Sequence, residues 1–343
     1  VTRGVTFWND ATVKLIKENF VAAAVPTWVA RAKGPEGEFL RAAGVEKQWV
    51  TSSGYMTCLS PSGKPLGHAP SAKVLDEFNK LPEADRKPSA VPGLMLDERL
   101  IPPPPEGGLV LRVHARFLAR DEKGDLRHAR LDDFPLMGDA PEPRNPWRLF
   151  LEPNTEYLWM TADEWKALVP ANPARGDKVA VAPWLGDRLA RFHLTPRRAT
   201  TSEGGILAKK DVQAARIDLV VDDATPERLR LRLVGLVHTG TAFDKEKAIT
   251  PNGPLGFGFR SELHGVLEYD RAKGRFARFD VVAPGEVWGR WGDANGKSLF
   301  AERPGSTPFG FALELGGDSP TERIPPGGNP ADIGPKSGYF GGP

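Results

Sequence analysis

The chain has 343 residues, 40% apolar and 26% charged, with 46 basic side chains against 44 acidic. That length suits two domains, and a formal charge of +2 supplies no field for nucleic acid or an anionic membrane. No apolar run approaches the roughly 20 residues that span a bilayer, and a lone cysteine, Cys58, excludes an internal disulfide or a cysteine-based zinc site.

The first 90 residues alternate strand and helix patterns. Val5–Trp8 is a short extended run, and Asn9 or Asp10 caps a helix through Asn19 with Val13, Leu15, Ile16 and Phe20 apolar. Phe20–Ala30 is a nearly continuous apolar run, the pattern of a strand covered on both faces. Glu36–Ala43 is helical in composition and stops at Gly44. Gly54–Leu59, the turn Ser60–Gly63 and Lys64–Leu66 then form a strand, turn and strand. Ser71 caps a helix carrying Val74, Leu75, Phe78 and Leu81 on one stripe.

The runs VKLIKENFVAAAVPTW, GEFLRAAGV and GYMTCLSPSGKPLG, in this order, resemble the helix–strand–helix–hairpin succession of many bacterial thioredoxin-like proteins over residues 5–85. The resemblance implies a thioredoxin-like α/β domain. Two features of the superfamily are missing: the Cys-x-x-Cys pair ahead of the first helix, and the proline before the hairpin strand, where Gly54 stands. Redox function therefore does not carry over. Cys58, alternating with Thr57 and Leu59, reads as a small buried side chain.

Residues 91–108 include four successive prolines, Pro102–Pro105, which favour a stiff spacer and mark the domain boundary. Leu109–Arg120 alternates cleanly, with Leu111, Val113, Ala115 and Phe117 on one face and Arg112, His114 and Arg116 on the other. Residues 121–160 read as turns. Thr161–Glu164 is a capping box opening a helix through Leu168, and Trp184–Leu189 reads as a helical turn. Strands are expected at Ala190–Leu194, Ala215–Val221, Leu229–His238, Phe259–Tyr269, Phe276–Val282, Glu286–Gly289 and Phe309–Leu315. The expectation for 109–315 is a mainly antiparallel β domain, sandwich or barrel, followed by a Gly/Pro-rich tail over 316–343 on the surface or disordered.

Two candidate sites follow. If the strands bearing His238 and His264 are antiparallel neighbours, these imidazoles and Glu262 form a ligand set suited to a divalent transition metal (copper, zinc or iron), with His193 or His114 as a further member. No HxH or HExxH fixes that geometry, and no cofactor is firmly implied. Trp288, Arg290 and Trp291, beside glycines, form a candidate platform for carbohydrate or another flat ligand. The expected function is a non-redox binding or interaction protein with protein or small-molecule partners, the alternative being a metal-dependent enzyme or metal carrier. The chain begins at Val1 without Met, so an upstream segment is either processed away or simply not included; a processed, exported protein, periplasmic or extracellular, is one expectation that follows.

Overall fold

Where apolar and charged side chains alternate, this chain runs extended; where they recur every three or four residues, it coils. The computed structural model describes residues 10–21, 33–44, 57–87, 102–133, 153–196, 206–242, 257–289, 306–317, 324–328, 333–334 and 337–340. The chain divides into two compact units, Val1–Ile101 with Met137–Leu149, and Pro102–Leu136 with Phe150–Pro343. No helix among the described residues is long and apolar enough to cross a membrane.

The first unit holds helices α1 (Asp10–Asn19) and α2 (Pro35–Ala42), a hairpin of β1 (Cys58–Leu59) and β2 (Pro65–Gly67), then α3 (Ala72–Lys80) and α4 (Glu83–Arg86). Local chemistry sets these limits. Pro35 opens α2, and Gly44 follows its end with a left-handed φ of 71°. In the hairpin turn the Gly63 N–H donates to the Ser60 carbonyl at 2.9 Å. Gly63 has a φ of 88°, and the Phe39 ring lies where a Cβ would be, so only glycine suits. The Ser71 hydroxyl accepts from the Val74 N–H and caps α3. The strands expected at 5–8 and 20–30, apart from Phe20 and Val21, lie outside the described residues, as does Gly54.

The second unit is built on one antiparallel sheet. Its strands are β3 (Leu109–Arg120), β4 (Leu126–His128), β5 (Asn154–Met160), β6 (Lys178–Ala180), β7 (Val212–Ala224), β8 (Arg228–Gly240), β9 (Phe257–Asp270), β10 (Arg275–Gly289) and β11 (Ser306–Leu315). The order is β4-β3-β11-β10-β9-β8-β7-β6, with β5 also paired to β3. Both β4 and β5 therefore occupy the side of β3 away from β11. The β-rich expectation holds, with three changes of detail. The expected strands 276–282 and 286–289 are one strand, β10. The turn-rich stretch contains β5. Residues 189–193 coil instead of extending.

That last segment continues a helix. Helix α5 (Ala162–Lys166) carries the expected capping box. Helix α6 (Pro183–Arg188) passes into a wide π turn over Leu189–His193, closed by the Leu194 N–H on the Leu189 carbonyl at 2.7 Å. Leu189 and Phe192 are three apart and both buried, the helical spacing that competes with strand alternation.

The inner face of the sheet curls round this helix. Leu111, Leu158, Leu219, Leu233, Leu263, Val281 and Leu313, one from each of seven strands, meet Leu185 and Leu189 around a single void of about 20 Å³. One water fills such a space, and its lining is apolar, so this interior is a packed core and not a ligand cavity. Helix α6 sits in the seam between β5 and β7. Gly186 permits this, because a Cβ there would lie 2.4 Å from the Ala215 carbonyl of β7.

Candidate functional site

The expected metal set is not assembled by the register. Strands β8 and β9 are neighbours, as that reading required, but His238 lies opposite Arg260 and His264 opposite Val234. Four residues at about 3.4 Å each separate the two imidazoles by roughly 13 Å along the strands, against metal–ligand bonds of about 2 Å. His264 and Glu262 do lie 3.9 Å apart, with side chains 58% and 65% exposed. Among the described residues no three His, Cys, Asp or Glu side chains converge as an ion would require.

Trp288 is packed instead of presented. It is buried, its indole N–H donates to the Thr241 carbonyl at 3.1 Å, and its ring lies over Gly258 and beside His238. Arg290 and Trp291 lie outside the described residues. Cys58 is buried and burial pushes its thiol pKa up, so it lacks the thiolate that makes a cysteine reactive.

The outer face of the sheet carries an ordered row of side chains. Register places Asp218, Val234, His264, Val282, Ala312, His114 and Thr155 across seven consecutive strands. Val282, near its middle, is 53% exposed. At one end the Thr155 hydroxyl lies 2.8 Å from His114 Nδ1, and His114 Nε2 lies 3.3 Å from Glu314. Glu314 also accepts from Arg112 at 3.1 Å, and that guanidinium first, then His114, holds its carboxyl below the usual range. Hydroxyl, imidazole and carboxylate are thus linked, as in an acyl-transfer relay. They stand on an open sheet face, without the strained turn that aims a nucleophile into a pocket.

A second polar cluster was not visible in the sequence, and it lies in the seam. His193 Nδ1 lies 3.0 Å from Glu156, and its Nε2 lies 2.9 Å from the Tyr339 hydroxyl. A carboxylate at Nδ1 keeps the proton there, leaving Nε2 to accept from the phenol. The Trp159 N–H of β5 in turn donates to the Tyr339 oxygen at 3.0 Å. Beside this chain, Arg188 of α6 makes a bidentate pair with Glu164, at 2.7 and 2.5 Å, and donates to the Trp159 carbonyl at 3.3 Å. The rings of Trp184, Tyr339 and Phe340 lie 4.7, 4.8 and 5.5 Å from its guanidinium carbon.

This cluster is structural. The His193 side chain is fully buried and Tyr339 is 1% exposed, so no substrate reaches the imidazole or the phenol. Its work is to satisfy both backbone groups of Trp159 at a strand edge. The placement also revises two expectations. His193 is a core residue of a helical turn, not a residue of the strand expected at Ala190–Leu194, and Tyr339 draws the Gly/Pro-rich tail into the core. Glu164 was legible through its capping box; Glu156, Arg188 and Tyr339 carried no motif.

A polar groove of about 540 Å³ beside the β7–β8 turn is lined by Arg175, Arg230, Arg232, Asp222 and Asp223. Its aspartates are already matched, Asp222 to Arg232 and Asp223 to Arg228, each at 3.2 Å. Comparison with family models, with curated proteins and with solved structures finds no match to this chain.

Proposed function

We propose that this chain is a two-domain binding protein that performs no redox chemistry, and that its β unit meets a protein partner through the outer sheet face centred on Val282. The observation that carries this reading is the pairing of a filled interior with a half-exposed valine on that face. A carrier of small molecules needs a hollow interior, and here seven strands and a helix fill theirs. The outer row offers an apolar centre, Val282 with Ala312, flanked by His114 and His264, with Val234 beyond His264 and charged pairs further out. An apolar middle with a polar rim is the anatomy of a protein interface. The first unit, with helices α1 and α2, the β1–β2 hairpin and helices α3 and α4, serves in this reading as scaffold.

The test is a binding measurement on a partner identified by photocrosslinking from position 282. Val282→Arg should weaken that partner at least about tenfold, near 1.4 kcal/mol, while circular dichroism and melting stay unchanged. Equal affinity for wild type and V282R would overturn the surface assignment. A hydrolytic activity abolished by His114→Ala would overturn the non-catalytic reading.

A further inference from the structure

The polar groove beside the β7–β8 turn is built on an irregularity in the sheet. Register pairs Val221 with Leu231 and Asp223 with Arg230, so Asp222 is an extra residue and β7 bulges there. In a regular strand two consecutive side chains point to opposite faces; at this bulge Asp222 and Asp223 both line the groove. Asp222 accepts from the Arg232 Nε at 3.2 Å, and Asp223 accepts from Arg228 at 3.2 Å. These carboxylates orient arginines and are not left waiting for a cation.

A second wall is a turn clamped to the same strand. The Asp177 N–H donates to the Ala174 carbonyl at 3.0 Å and Gly176 has a φ of 93°, which puts Arg175 and Gly176 at the tip. The Asp177 carboxylate in turn accepts from the Ala174 N–H at 2.8 Å. The Gly176 N–H donates to the Val221 carbonyl at 2.8 Å, and the Val221 N–H donates to the Asp177 carbonyl at 2.9 Å. Arg175 is therefore carried to the groove on a fixed backbone, and its side chain stays exposed there.

Three guanidinium groups, of Arg175, Arg230 and Arg232, thus line one space, and their terminal nitrogens bind no partner among the described residues. Arg232 is held through Nε alone, and the Arg230 Nε is buried without a hydrogen bond, 4.0 Å from Glu268. Around the groove four arginines meet three carboxylates, so it is locally positive on a nearly neutral chain. We propose that this groove binds the phosphate group of a small phosphate monoester. A guanidinium fork grips oxyanions two oxygens at a time, and a tetrahedral phosphate offers three terminal oxygens to three forks, where a planar carboxylate offers two to one. The groove volume of about 540 Å³ lies in the range of sites that take small organic molecules, which leaves room for the ester's own group. This site goes beyond the protein interface at Val282 and does not rest on it.

The experiment is calorimetric titration of the full chain with phenyl phosphate at constant ionic strength. Wild type takes up one equivalent, and Arg175→Gln and Arg230→Gln each weaken binding at least about tenfold. Arg175→Lys keeps the charge without the fork and recovers only part of the affinity. Arginine stays protonated throughout, so wild-type affinity falls as pH drops through the ester's own second pKa, about 6. No saturable binding, or wild-type affinity in both glutamine variants, overturns the proposal. Malonate binding as tightly as phenyl phosphate overturns the choice of phosphate, and a phosphoserine peptide binding more than about tenfold tighter overturns the choice of a small molecule. If Arg230→Gln fails to fold, Arg175→Gln, on an exposed turn, still decides: unchanged affinity there overturns the site.

Discussion

Replacing Glu164 by alanine removes the only carboxylate that pairs with Arg188 among the described residues, and the Arg188 side chain is 2% exposed. The guanidinium keeps the Trp159 carbonyl and three flanking rings, but its charge is left without a counter-ion. Breaking a buried pair in this way costs about 3–5 kcal/mol. Glu164 also accepts from the Thr161 N–H to complete the cap of α5, which adds about 1 kcal/mol. The expected loss is about 4–6 kcal/mol, and for a unit of about 150–250 residues that lowers Tm by roughly 10–20 °C. Thermal melts followed by far-UV circular dichroism and calorimetry read it directly. The companion variant, Glu164→Gln with Arg188→Met, removes both charges together and should recover most of the loss. A single-variant shift below about 3 °C, under 1.5 kcal/mol on the same scale, would refute the claim that this pair holds α6 in the seam.

Gly258→Ala places a Cβ 2.3 Å from the Trp288 indole and 2.4 Å from the Thr241 carbonyl, so it should cost about 1–3 kcal/mol and red-shift tryptophan emission; a neutral result would mean that Trp288 is not held against that strand. Asp133 accepts from both ends of the Arg127 guanidinium and from the Arg130 N–H, and Arg127 first among these holds its carboxyl below the ordinary aspartate range. Its contribution to stability is therefore complete above the unfolded aspartate pKa and is lost as pH falls through the folded one. A carboxyl NMR titration should place the Asp133 midpoint below that of a free aspartate, and Arg127→Gln should move it back up. Cys58 should react with a disulfide reagent slowly in the native protein and rapidly once unfolded, its burial having raised the thiol pKa; equal rates would contradict that burial.

The sequence was readable wherever one side chain pattern had one structural meaning. Leu109–Arg120 alternates with a buried inner face, and β3 occupies that span. The Thr161–Glu164 capping box is local chemistry, complete within four residues, and it forms as expected. Two segments carried two meanings. In LARFHL the apolar side chains Leu189, Ala190, Phe192 and Leu194 fit a helical stripe as well as alternation, and packing against β7 and β8 decides for the helix. In NTEYLWM, Leu158, Trp159 and Met160 are all buried, so the two-residue alternation that identifies a half-buried strand is absent. Register lay beyond the sequence altogether. That β8 and β9 pair was an assumption of the metal reading, and the offset separating His238 from His264 is set by a register that no local pattern encodes. Tyr339 was invisible for a related reason: its partners stand 146 and 180 residues away, at His193 and Trp159.

That last separation bears on how the chain is made. A ribosome adding about 5–20 residues each second needs roughly 10–40 s to travel from Trp159 to Tyr339. Strand β3 waits similarly for β11, its central neighbour, so neither β3 nor β5 can complete its place in the sheet early in synthesis. Throughout that interval the Trp159 N–H lacks the hydroxyl that Tyr339 supplies in the folded chain. Quality control of this protein should therefore act while it is still being translated, and chaperone occupancy measured on stalled nascent chains should fall only after Tyr339 has left the exit tunnel.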